Sequence, residues 1–327
     1  MNTRLSEQLR AEGLLSEQSA ERIRHAESEK LFSIFWEIRT LLYVGVLLLT
    51  TGLGILIYKN IDTIGHQVVL ALIAALCIGC FYYCVKRKYP FSWARVQSPN
   101  TYFDYVLLLG CLTMLTFLAY LQAQYVVFGE AYGLATFIPM LILFFCAYYF
   151  DHLGVLSLAI TNLAAWLGIA VTPTTILRGN NFAESRIIFA GILLGIFLTA
   201  VAYFSDKRNL KKHFSFTYLN FGMNILFIAI LAGMFYFESF YAAWIFPLAA
   251  AAYYFYRKAF EQSSFYFLLM IVIYSYIGVS YVAVRAVVTL LDDIFLPLMY
   301  FIMSGIGVIV LLIQLNAKMK RHARLQQ

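Results

Sequence analysis

The sequence predicts an all-α fold: a polytopic membrane helix bundle of about ten transmembrane helices, with a small N-terminal cytoplasmic helical hairpin. Three observations predict it. The chain is 62% hydrophobic and 13% charged over 327 residues, whereas soluble domains carry roughly a quarter charged residues. Its apolar residues come in continuous runs, and about 20 helical residues cross the roughly 30 Å of bilayer hydrocarbon. Its 24 Lys and Arg residues gather in short clusters between those runs. A soluble globule this apolar would expose patches that drive aggregation. Backbone groups in lipid must bond within their own segment, so continuous runs read as helices; a barrel would show alternating strands of about ten residues.

Residues 1–38 read as a separate cytoplasmic piece. Eleven charges fall within residues 1–30, five basic and six acidic. That mixture fits neither a secretory leader nor a polybasic lipid-binding tail. Leu5 and Leu9 share a helix face, and Gly13 can end that helix. Ser16 can cap a second helix with Ala20 and Ile23 on one side. Trp36 suits the headgroup region at the membrane entry.

The transmembrane bundle is expected over 39–316. Ten runs fill it, within 40–58, 64–85, 102–125, 131–150, 153–172, 187–205, 214–236, 239–256, 264–284 and 294–315. With the N-terminus inside, the outer segments hold only Lys59, Arg178, Arg186 and Arg285. The other twenty basic residues fall within 1–39, 86–95, 207–212, 257–258 and the tail at 317–327. Such a bias places both termini in the cytoplasm. Residues 102–205 lie between two basic loops, so an even number of crossings fills them, and four fit. The boundaries among these four are short turns near Gly129-Glu130 and Asp151-His152.

The N-terminal stretch Gly13-Leu14-Leu15-Ser16-Glu17-Gln18-Ser19-Ala20, within Leu9 to Ile23, resembles a known pattern. It is similar to bacterial predicted membrane proteins of the domain of unknown function 2157 family. There a short helix–turn–helix precedes the first membrane helix. Leu41 to Leu49 with Gly52-Leu53-Gly54 resembles that family's glycine-containing first span. The chain departs from the pattern in lacking a Trp before Gly13, and in placing Asn60-Ile61-Asp62 where a Trp often follows the span. The resemblance covers about residues 5–85. It implies a bacterial inner-membrane location and carries over no catalytic residue.

Polar side chains inside the spans are the first functional candidates, because they are costly in lipid and tend to face the bundle interior. Asn220 and Asn224 share a helix face; Asn162 and Gln122 lie on other spans. They are expected to line a polar cavity that accepts a substrate, against the blander reading of hydrogen bonds between helices. A second candidate is Arg285 with Asp292 and Asp293, an outer-face group that could bind a polar headgroup or partner loop, against plain solvated loop charges. Gly191 and Gly195 form a GxxxG pair, which serves helix packing. Asp151-His152 is an adjacent acid–base pair, and two neighbouring residues alone are a weak mark of a transferase. The five cysteines, Cys77, Cys80, Cys84, Cys111 and Cys146, all lie in apolar runs and read as free packing residues without zinc spacing.

No metalloprotease, P-loop or nucleophile-elbow motif is present, which weighs against an enzyme. No cofactor is implied, and the scattered basic clusters do not form a nucleic-acid surface. The leading expectation is small-molecule or lipid transport or handling in contact with the bilayer. The 40–172 and 187–315 halves are similar in length, as inverted repeats would be, without a repeat in sequence. The alternative is a membrane scaffold or sensor whose residues 1–38 bind a cytoplasmic protein. A third reading is an intramembrane enzyme acting on lipid-linked substrates.

Overall fold

The computed structural model describes residues 35–129, 132–171, 185–262, 264–291 and 295–325. The hairpin expected before Phe35 lies outside them. Among the described residues the fold is all-helical, with ten α-helices and no strand. In chain order they are α1 (Phe35–Ile64), α2 (His66–Arg87), α3 (Thr101–Tyr125), α4 (Tyr132–Phe150), α5 (Leu153–Val171), α6 (Ser185–Arg208), α7 (Ser215–Tyr236), α8 (Ile245–Glu261), α9 (Phe265–Leu291) and α10 (Phe295–Leu325). Nine of the ten apolar runs read from the sequence correspond to one helix each. Eight helices are long and apolar enough to cross a membrane; α5, apolar over Leu153–Gly168, and α8, with 17 residues, are shorter.

By internal contacts the chain divides after Asn60. The first unit contains most of α1, whose apolar window Ile38–Ile55 has no buried residue. Thr50 and Thr51 sit in that window with their hydroxyls bonded back to the carbonyls of Val46 and Leu47. Such bonds satisfy a hydroxyl inside an apolar helix.

The second unit, Ile61–Gln327, is built around α7, which packs against α5, α6, α8 and α9. Its span is the most buried, at 56%. The reason is small residues. A Cβ on Gly195 of α6 would lie 2.8 Å from Leu226 Cβ of α7, and one on Gly222 would lie 2.7 Å from Thr199 Oγ1. The two backbones therefore approach as only glycine permits, and the GxxxG pair does what its spacing predicts. Around this contact sit the fully buried Leu198, Leu219, Met223 and Phe227, with Tyr274 of α9 stacked on Phe227 at 5.2 Å.

The run expected as one helix over 239–256 is divided. A 3-10 segment covers Glu238–Trp244, with Phe240 in a non-helical conformation, before α8 begins. The Trp244 ring lies where any side chain on Gly233 would have to sit, and it stacks on Phe237. Filling that hollow with an aromatic ring breaks the helix that apolar composition alone would continue. What remains as α8 buries Leu248, Ala251, Phe255 and Ala259 along one face and exposes Tyr253 and Arg257.

Candidate functional site

The turn between α4 and α5 begins the site. Helix α4 closes with the His152 N–H donating to the Ala147 carbonyl at 3.0 Å, across Asp151 in the left-handed region at φ 59°. This is a six-to-one closure in which Asp replaces the usual glycine, and Asp is one of the few residues that tolerates that region. His152 then caps α5, its Nδ1 accepting from the Val155 N–H at 3.0 Å. A nitrogen that accepts cannot carry a proton, so the imidazole proton lies on Nε2, which faces Asp104 Oδ1 at 3.8 Å. The neighbours Asp151 and His152 thus serve different partners and do not act as a pair.

The Asp151 carboxylate is buried, 3% exposed, and is met from three sides. Lys211 Nζ lies 3.1 Å away, His213 Nε2 donates at 2.6 Å, and the Val96 N–H donates from the loop after α2. Lys211 is itself 1% exposed. It stands at φ 48° just before the 3-10 turn Lys212–Phe214 that leads into α7. Its N–H donates to the Trp93 carbonyl at 2.9 Å and its ammonium to the Ala94 carbonyl at 3.5 Å. A buried charge persists only when it is paired and hydrogen-bonded, and here both ions are. Two further anchors hold the loop. Lys88 lies 3.8 Å over the Tyr149 ring, and Ser98 donates to Asp104 in the first turn of α3. Loop 88–100 is fastened over the ends of α4 and α6. Beneath it, between Tyr89, Val96, Phe103, Asp151 and Lys211, about 10 Å³ remains, room for one water. The ion cluster is a clamp and does not form a ligand pocket.

Beside the clamp lies a groove of about 390 Å³, open at one side and lined by Trp93, Tyr148, Val201, Phe204, Ser205, Arg208 and Leu210. The volume is in the range of small-ligand sites. Its lining is aromatic and aliphatic except at Ser205, whose hydroxyl bonds the Leu210 and Lys211 carbonyls, and at exposed Arg208. Tyr148 forms one wall, held by its hydroxyl against Tyr218 at 3.0 Å and by its ring against Phe214. Trp93 is half exposed, and the clamp fixes its backbone. A second apolar hollow of about 190 Å³ lies on the other face of α6, among Ile196, Thr199, Leu226, Ala251, Tyr254 and Phe255.

The residues expected from the sequence fall elsewhere. Asn224 Nδ2 donates to the Asn220 side chain at 2.8 Å and to Tyr266 Oη at 3.3 Å, and Tyr274 donates to its Oδ1 at 2.9 Å. Asn220 and Asn224 therefore join α7 to α9. Asn162 is not brought to them; its amide bonds the Leu158 carbonyl of its own helix. Gln122 closes the turn after α3, donating to the Gly129 carbonyl and accepting from the Phe128 N–H. Arg285 pairs with Glu238 at 2.7 Å, donates to the Tyr281 hydroxyl, and lies 5.0 Å over the Tyr241 ring. Asp292 and Asp293 lie outside the described residues. Sequence reasoning missed Lys211, His213, Trp93 and Arg208. Lys211 and Arg208 lie in the basic segment 207–212, which reads as a marker of orientation, and His213 adjoins it. A lone Trp in a Pro-flanked polar loop was the one signal that could have drawn attention to residues 90–99.

Residues 7–156 match the model of the family described as Predicted membrane protein (DUF2157). The match overlaps the resemblance at residues 5–85 from residue 7 on and runs through α2, α3, α4 and the Asp151 turn. No curated protein and no solved structure matches the chain.

Proposed function

We propose, with the match to predicted membrane proteins as premise, that this multi-pass membrane protein handles a lipid at its cytoplasmic rim. The groove beside Trp93 would be the binding site. The observation that carries the reading is the groove itself: roomy, apolar, open to the side, and beside the basic segments 86–95 and 207–212. The positive-inside bias puts those segments in the cytoplasm, with both termini on that side. This orientation has α5 and α8 crossing too. At 19 residues α5 reaches about 28 Å, close to the hydrocarbon thickness. The family resemblance favours a bacterial inner membrane.

Two features favour handling at the rim over passage through the middle. Asn224 bonds both Tyr266 and Tyr274, and Ser280 and Tyr276 bond Tyr300 and Ser304, respectively, between α9 and α10. These polar groups join helices. The same bonds support the second reading, a membrane scaffold whose residues 1–38 engage a cytoplasmic partner.

Mass spectrometry of lipid retained by the detergent-purified chain tests the first reading. The wild type keeps lipid. Val201→Trp, which fills the groove, loses it while melting at a similar temperature. Equal retention by both chains would remove the groove from consideration and leave the scaffold.

A further inference from the structure

The groove is lined by a cation that no carboxylate among the described residues compensates. Lys211 is met by Asp151, Lys258 by Glu261 and Arg285 by Glu238. Arg208, at the groove's mouth, has no carboxylate within ion-pair distance among the described residues, and neither it nor the Trp93 indole N–H has a hydrogen-bond acceptor there. The nearest acid in sequence, Asp206, is not among the residues that line the groove. Asp151 is buried beneath the loop with its oxygens already occupied. Any phospholipid's phosphodiester would therefore find a guanidinium and an indole donor here. A headgroup that also carries an ammonium would find no anion at this mouth and would be repelled by the arginine, whereas an uncharged headgroup would not.

We infer, resting on the groove as a lipid site, that it selects a phospholipid of net negative charge. The phosphodiester oxygens accept from the Arg208 guanidinium and the Trp93 indole, and one acyl chain lies along Val201, Phe204 and Leu210. Arginine suits this role because its planar fork donates to two phosphate oxygens at once. Selection for an anionic over a zwitterionic headgroup should be about five-fold, the effect expected of one cation near an anionic lipid surface.

The test is native mass spectrometry of the full chain extracted from vesicles with equal mole fractions of phosphatidylglycerol and phosphatidylcholine. Wild type should carry phosphatidylglycerol in about five-fold excess. Arg208→Gln should carry both equally, and Lys318→Gln should keep the excess, because that ammonium lies 6.0 Å from the Phe260 ring and outside the groove's lining. Equal binding of both lipids by the wild type would overturn the headgroup selection and leave the lipid groove standing. An excess that survives Arg208→Gln would also overturn it, as would one lost equally in Lys318→Gln. Absence of any bound lipid from the wild type would defeat the underlying reading instead.

Discussion

Replacing Lys211 by Met tests the clamp that fixes the loop over the groove. Lys211 and Asp151 are 1% and 3% exposed, so solvent screening gives little relief when one of them loses its partner. The change leaves the carboxylate in place with only His213 and the Val96 N–H. Breaking a buried pair in this way costs about 3–5 kcal/mol, much of it the penalty of an uncompensated charge. The ammonium's bond to the Ala94 carbonyl goes as well. Adding Asp151→Asn removes the stranded charge, so the double variant should be less destabilised than the two single changes summed, by about 1–3 kcal/mol of coupling. Reversible unfolding of the detergent-solubilised chain reads the stability. Protease cleavage between Tyr89 and Pro99 reads local opening, which should rise in Lys211→Met. A Lys211→Met protein within about 1 kcal/mol of wild type, with the loop still protected, would refute the clamp.

Three further outcomes are expected. Gly222→Ala forces a methyl to within 2.7 Å of Thr199 Oγ1 and 3.1 Å of the Gly195 carbonyl. It should cost about 1–3 kcal/mol in the same unfolding assay, and a neutral result would mean α6 and α7 are not in this contact. Asn224→Leu removes the bonds to Tyr266 and Tyr274. The cost should be about 1–2 kcal/mol with retained lipid unchanged, and a loss of lipid would move the site into the interior. All five cysteines are free, four of them buried. Intact mass should therefore show five thiols, and iodoacetamide should leave the folded protein almost unmodified; ready alkylation would contradict their burial.

The helices were legible because lipid imposes a simple rule: continuous apolar residues with backbone bonds satisfied locally. The Asp151-His152 break was legible too, from one charged pair between two apolar runs. The split before α8 was not, because Phe240, Trp244 and Ile245 are apolar whichever way the backbone turns. Trp244 stops the helix through a contact with Gly233, which periodicity does not report. The clamp stayed hidden for a related reason. Asp151 lies more than fifty residues from Val96 and about sixty from Lys211 and His213, and a sequence search for chemistry pairs neighbours. Its lysine was counted with Lys207, Arg208 and Lys212 as a marker of orientation, although Lys211 alone among them is buried. The intramembrane amides stand out in the sequence as polar groups in spans, but spacing gives a residue's face and not its partner. Only α7 and α9 packing side by side shows that Asn224 meets two tyrosines.

The central claim, a lipid held in the groove at the end of α4 and α6, is tested most directly by electron cryo-microscopy of the full chain in lipid nanodiscs. The account predicts elongated density along Val201, Phe204 and Leu210, ending in a rounded feature between Arg208 and the Trp93 indole. A groove closed by the chain's own side chains, or left without ordered density while annular lipid is resolved elsewhere, would contradict it.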